Sequence, residues 1–232
     1  MSKQFQLTPR IGKLNLGAKK AMKELNKRNT ASSVKNKLEF KIPSWNQIYS
    51  SLLKLAEAVR KSGFEPDVIV GVSRGGWIPA RIMSDLLENP KLANVTAEFY
   101  VGVAETRSEP VITQPVSLPV KHKKVLVVDD VADTGESLKL VNVHLKKQGV
   151  SEIKIATIYC KPWSVTVPHY YIEETRCWIV FPWELKETVR KTVEKFRGEG
   201  RTLEDAKEKL ISSGLNRELV ERFTKEVFRE EP

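Results

Sequence analysis

The chain has 232 residues, 41% of them hydrophobic and 29% charged, with a formal net charge of +10. That length suits one α/β domain with a full core plus extensions. No apolar run approaches the length of a membrane span and the N-terminus lacks an apolar signal stretch, so a cytoplasmic chain without membrane contact is expected.

The charge is concentrated at one end. Residues 1–41 hold eleven Lys and Arg against Glu24 and Glu39, a balance of +9, so the rest of the chain is close to neutral. A basic arm over 1–39 reads as solvated or docked on an acidic partner, with nucleic-acid binding as the alternative. Only Phe5 and Phe40 are aromatic there, which gives base stacking little support. Ser44 then caps a helix to about residue 61, with Ile48, Leu52, Leu55, Ala56 and Val59 on one face and Gly63 as stop. "DVIVGV" (67–72) is a strand, "SRGG" a loop, and 77–87 a helix. "TAEFYVGV" (96–103) is a strand followed by a polar loop over 104–113.

The short β-branched run 125–128 reads as a strand buried on both faces. Leu138, Val141 and Leu145 recur at helical spacing over 137–148 before Gly149 closes the helix. "EIKIATIYC" (152–160) is a strand, followed by "YYIEE", "CWIVFPW" and a helix over 184–196. Gly198 and Gly200 mark a hinge, beyond which "TLEDAKEKLISSG" and "NRELVERFTKEVF" form a helical hairpin. Its apolar positions Leu203, Ala206, Leu210, Leu215, Leu219, Val220, Phe223 and Val227 suit packing on the body or on a second subunit. Strands alternating with helices imply an α/β doubly wound parallel sheet. Cys160 and Cys177 match no metal or redox spacing and are expected to be reduced. His122, His144 and His169 form no signature, and Trp45, Trp77, Trp163 and Trp183 read as packing residues.

One stretch carries chemistry: "VLVVDDVADTGES" (125–137). In parallel sheets the ligand crevice lies at the carboxyl ends of the strands. The first turn of the following helix offers unpaired N–H groups and a positive dipole end, which suit a phosphate. The small residues admit a ligand close to the backbone, and Thr134 and Ser137 add hydroxyl donors. Asp129 and Asp130 would repel a phosphate bound directly on them; they suit a neutral diol or a divalent cation beside it. A phosphate next to a diol is a ribose 5-phosphate. A P-loop is excluded, because no G-x-x-x-x-G-K-[ST] occurs.

This stretch resembles the phosphoribosyl-pyrophosphate signature of the type I phosphoribosyltransferases. "GVSRGGWIPA" (71–80), "YCKPW" (159–163) and "CWIVFPWE" (177–184) are similar to the 6-oxopurine enzymes, xanthine–guanine and hypoxanthine–guanine phosphoribosyltransferases. The similarity covers about 40–190, and residues 164–175 match only loosely. It implies a phosphoribosyltransferase domain over 40–197 with a small hood, flanked by the arm and by the helical hairpin over 198–232. It further implies transfer of phosphoribose from phosphoribosyl pyrophosphate to a purine base with Mg2+, in a family that usually forms dimers or tetramers.

Carried over by position, Asp129 and Asp130 face the ribose hydroxyls and the metal region. Ala132, Thr134, Gly135, Glu136 and Ser137 cradle the 5-phosphate, and Asp133 lies near purine N7 as acid/base. Ser73, Arg74 and Gly75 hold pyrophosphate, with a cis peptide at Ser73–Arg74. Lys161 donates to the exocyclic O6, Trp178 stacks on the purine, and the Ile179 backbone reads the base edge. An ammonium donates and never accepts, so Lys161 favours an oxo group over an amino group. The lid segment 102–113 lacks the Ser-Tyr pair common in related enzymes and holds Arg107 instead. The competing readings are a phosphoribosyl-pyrophosphate-responsive nucleic-acid-binding regulator and a transferase for adenine or a pyrimidine.

Overall fold

A computed structural model describes residues 39–100 and 109–229. The basic arm up to residue 38 and the first part of the lid segment, residues 102–108 with Arg107 included, lie outside the described residues. Within them, eight strands and six helices follow in the order β1 (Phe40–Lys41), α1 (Trp45–Lys61), β2 (Val68–Ser73), α2 (Trp77–Leu86), β3 (Leu92–Tyr100), β4 (Glu109–Gln114), β5 (Lys124–Ala132), α3 (Glu136–Lys147), β6 (Glu152–Cys160), β7 (Tyr170–Glu174), β8 (Trp178–Ile179), α4 (Leu185–Gly198), α5 (Leu203–Ser212) and α6 (Arg217–Arg229).

Six strands form one sheet in the order β4-β3-β2-β5-β6-β7. It is parallel except at one edge, where β4 runs antiparallel to β3. β4 corrects the polar loop expected over 104–113: its side chains were too polar to suggest a strand, yet an edge strand needs backbone pairing on one side only. β3 also begins earlier than its β-branched run suggests. β5 extends through Asp129 and Asp130 rather than ending before them.

Both faces of this sheet are covered, which is why β5 is apolar without alternation. Leu126 and Val128 pack under α1 and α2 with Ile48, Leu52, Leu55 and Met83. Val125 and Val127 face α3 with Leu138, Val141 and Leu145. Each such buried Leu or Val contributes about 2 kcal/mol relative to exposure. Helix α1 starts where the sequence says: Gln47 N–H donates to Ser44 Oγ at 3.3 Å, and Ser44 N–H donates to Gln47 Oε1 at 2.8 Å, a reciprocal cap.

A second sheet of two parallel strands pairs Phe40 with Trp178 and Lys41 with Ile179. Beside it, α4, α5 and α6 share a core of Val180, Val193, Phe196, Leu210 and Val220, with Phe40 and Ile42 packed on it. The C-terminal hairpin thus packs on the body of its own chain. Leu219, expected in that contact, is exposed instead. His169, read as incidental, ties two segments together: Ile155 N–H donates to its Nδ1 at 3.0 Å, and its own N–H donates to Ile155 O at 2.9 Å.

Candidate active site

Strands β2 and β5 are parallel neighbours, in register from Val68↔Val125 to Gly71↔Val128. From β2 the chain crosses through α2 to β3 on one side; from β5 it crosses through α3 to β6 on the other. Their carboxyl ends therefore diverge and leave a crevice between them. The crevice receives Ser73, Arg74 and Gly75 from one strand and the acidic pair from the other. The Ser73–Arg74 peptide is cis, as the resemblance implied. A Cβ on Gly75 would run into Asp130 Oδ2, so only glycine lets this loop lie against the carboxylate.

Asp129 and Asp130 are both buried. Each carboxylate accepts from main chain: Asp130 N–H donates to Asp129 Oδ1 at 3.0 Å and Val131 N–H to Asp130 Oδ1 at 2.8 Å. Burial raises the Asp129 pKa well above the usual carboxylate range, and the neighbouring Asp130 raises it further. Burial pushes Asp130 up to about 6. Glu184, at the start of α4, is pushed up to about 7 by burial and by Asp130. Trp183 stacks on Phe181 with centroids 4.8 Å apart. Its buried indole N–H faces Asp130 and lowers that group's pKa, without reaching hydrogen-bond geometry to any described acceptor.

The loop expected from the sequence to hold a phosphate leaves β5 at Ala132 and enters α3 at Gly135, which has φ +79°. Asp133 and Thr134 are exposed, and Glu136 N–H donates to Thr134 Oγ1 at 3.4 Å. The Glu136 carboxylate, in the first turn of α3, pairs with Lys139 at 3.5 Å. Ser137 lies half-buried in the first turn.

Across the crevice, buried Lys161 donates its Nζ–H to the main-chain carbonyl of Cys177. Burial lowers its pKa, an effect opposed by Asp133 and Cys177. Trp178 N–H and Val180 N–H donate to Glu39 O and Lys41 O at 2.8 and 2.9 Å. Successive residues of a strand point their backbone groups to opposite sides, so the Ile179 N–H and C=O face away from β1. The Cys177 carbonyl, two residues earlier, lies on that same side. The Lys161 ammonium and the open backbone edge of Ile179 therefore share one side of β8. Trp178 presents its ring to solvent at 45% exposure, while the Ile179 side chain is buried.

Every site residue named from the sequence lies at this end of the sheet, and several unassigned ones join them. Arg74 pairs with Glu187 of α4, and a cleft of about 610 Å³ beside them is lined also by Trp183, Glu184, Arg190 and Lys191. Glu184 closed the "CWIVFPWE" stretch without drawing a role, and Glu187 and Arg190 gave no signal in the sequence. Trp163 corrects the packing expectation: it is 49% exposed, and its Nε1–H donates to Asp133 Oδ1 at 3.4 Å. Its ring lies 5.5 Å from Lys161 Nζ and 5.9 Å from Arg176 Cζ. Trp77 is also exposed, whereas Trp45, though half-exposed, packs its ring on Trp183 with centroids 5.6 Å apart.

The family model of the phosphoribosyl transferase domain matches residues 42–189, which include this crevice from end to end. The chain belongs to that family. A xanthine-guanine phosphoribosyltransferase of Cereibacter sphaeroides is 32% identical over 163 residues, covering 67% of this chain and 91% of that protein. One from Gluconobacter oxydans is 26% identical over 157 residues, covering 67% and 90%. The crystal structure of a purine phosphoribosyltransferase from Pyrococcus horikoshii Ot3 superposes with a TM-score of 0.57 at 43% identity, over 62% of this chain and 93% of that one. The family match ends within α4, so α5 and α6 lie outside it.

Proposed function

We propose that the chain transfers the 5-phosphoribosyl group of phosphoribosyl pyrophosphate to a 6-oxopurine, giving a nucleoside monophosphate and pyrophosphate in purine salvage. The observation that carries this reading is the convergence of the Lys161 ammonium and the open Ile179 backbone edge on one side of β8. A 6-oxopurine presents an acceptor at O6 beside an N–H on its ring edge, which a fixed cation and a strand edge complement. Trp178 stacks on the purine face.

The 5-phosphate lies in the loop Ala132, Thr134, Gly135, Glu136 and Ser137, at the positive end of α3. As the glycosidic bond to pyrophosphate breaks, the sugar gains oxocarbenium character and negative charge grows on the leaving group. Arg74 and the amides of the Ser73–Gly75 turn stabilise that charge. Asp133 holds the proton at purine N7 while N9 attacks the anomeric carbon. Asp129 and Asp130 hold the ribose hydroxyls.

The acidic pair also fits a divalent cation. Two adjacent buried carboxylates with raised pKa values gain from a positive charge in front of them. No group of three or more His, Cys, Asp or Glu among the described residues could hold a metal by itself, which suits Mg2+ carried largely by substrate oxygens and water near Asp129 and Asp130. When bound, it would supply charge neutralisation on the pyrophosphate. The test is pyrophosphate release from phosphoribosyl pyrophosphate and Mg2+ with a panel of bases. Release with guanine, hypoxanthine or xanthine is expected; release with adenine or a pyrimidine alone overturns the 6-oxopurine assignment.

A further inference from the structure

Residues 161–166 follow β6 and run alongside the phosphate loop, and the two segments are joined residue by residue. Lys161 N–H donates to Ala132 O at 2.9 Å. Trp163 Nε1–H donates to Asp133 Oδ1 at 3.4 Å. Val165 N–H donates to Thr134 O at 2.8 Å, and Thr166 Oγ1–H donates to Gly135 O at 2.9 Å. Four consecutive positions of the loop, 132–135, thus take a partner from one short segment.

The direction of these bonds matters more than their number. In a trans peptide the C=O of one residue and the N–H of the next point to opposite sides. Tying the carbonyls of Ala132 and Thr134 to the segment turns the N–H groups of Asp133 and Gly135 away from it, toward the open side of the loop. The Gly135 carbonyl, shared between Thr166 Oγ1 and the Lys139 N–H at 3.0 Å, does the same for Glu136 N–H, which rests 3.4 Å from Thr134 Oγ1. Those are the donors an anion at the start of α3 would use. The approach is close: a Cβ on Gly135 would collide with Ser164 Oγ and sit 2.6 Å from Thr166 N. The segment is itself braced, with Ser164 N–H on Lys161 O at 3.0 Å and Ser164 Oγ–H on Thr166 O at 3.0 Å.

We propose that 161–166 is a strap that presets the phosphate loop, in which Thr166 positions the phosphate-binding amides and Trp163 aims the Asp133 carboxylate. This rests on the reading of the site given above. It assigns work to a stretch that begins with the base-reading Lys161 and thereby links the two halves of the substrate site. In this role Trp163 and Thr166 are positioning residues, acting through Asp133 and Gly135.

Steady-state kinetics of the full chain separates the two roles. Thr166→Val, which keeps the shape and loses the hydroxyl, should raise KM for phosphoribosyl pyrophosphate about 10-fold with kcat little changed, the size of one orienting hydrogen bond. Thr166→Ser should return it to within about twofold, since it restores that bond. Trp163→Phe, which keeps a ring beside Lys161 and Arg176, should lower kcat about 10-fold with that KM unchanged, because the acid/base group is no longer aimed. An active wild type whose Thr166→Val variant keeps its KM, whose Thr166→Ser variant is as impaired as Thr166→Val, or whose Trp163→Phe variant keeps its kcat overturns the strap. A wild type that transfers phosphoribose to no base overturns the proposed function instead. The strap is then judged by calorimetric titration with ribose 5-phosphate, which should bind Thr166→Val about 10-fold more weakly than wild type; equal binding overturns it.

Discussion

The Lys161 ammonium and the Cys177 carbonyl are hydrogen-bonded across sixteen residues of sequence, and that bond holds the cation beside the strand that carries Trp178 and Ile179. In the proposed reading, a purine O6 placed there meets a charged donor already oriented by the main chain. Adenine offers an amino group at the same place and leaves the donor facing another donor.

Specificity follows from that geometry. A site built around such a contact rejects the analogue lacking it by about 10⁴-fold, so guanine, hypoxanthine or xanthine should exceed adenine by a wide margin in kcat/KM. Lys161→Ala should narrow the margin mainly by losing oxopurine activity. A wild type that accepts adenine equally, or a variant with the same ratio, would leave Lys161 without this role.

Asp133 is exposed, and its carboxylate accepts from Trp163 Nε1–H. Asp133→Asn keeps the shape and removes the proton acceptor. Turnover should fall by roughly 100-fold, the scale of a lost acid/base contribution, while calorimetry finds phosphoribosyl pyrophosphate binding nearly intact. Unchanged turnover with every base would exclude it from catalysis.

The acidic cluster should make ligand-free stability depend on pH. Asp130 binds its proton more tightly folded, at about 6, than at its ordinary 3.8, and Glu184 does so at about 7 against 4.5. Their contribution is therefore fully present below the ordinary carboxylate range and is lost as pH rises through about 6 to 7. Relative to wild type, Asp130→Asn should gain on the order of 2 kcal/mol between about pH 4 and pH 8. The measurement is denaturant unfolding of both proteins across that range. Parallel pH profiles would mean that the buried pair is offset by groups elsewhere.

Glu187 pairs with Arg74 and is itself shared with Lys191 at 2.7 Å. Both cations lower its pKa, Lys191 foremost, so it is a carboxylate at neutral pH. If Arg74 holds pyrophosphate as proposed, pyrophosphate must compete with Glu187 for it. Glu187→Gln should tighten product inhibition by pyrophosphate about 2- to 5-fold, the range of an exposed ion pair, leaving the KM for the base unchanged. Weaker inhibition in the variant would show that Glu187 assists the site instead.

The amino-acid sequence by itself determined the repeating elements and the phosphate loop. Buried strands such as β5 declare themselves by unbroken apolar runs, helix α1 by its Ser44 cap and 3.6-residue period, and the loop 129–137 by chemistry confined to consecutive positions. In each case the deciding interactions are local, so neighbouring residues carry the information. The tertiary structure decided what meets across the crevice. Glu187 reaches Arg74 over 113 residues, and Asp130 on β5 raises the pKa of Glu184 at the start of α4. Trp163 left the expected core because the segment after β6 folds back along the phosphate loop, putting its indole N–H on Asp133. Such contacts depend on strand order and on the path of each crossover, and a carboxylate or an indole looks the same in the sequence whether it ends in solvent, in a core or beside a phosphate.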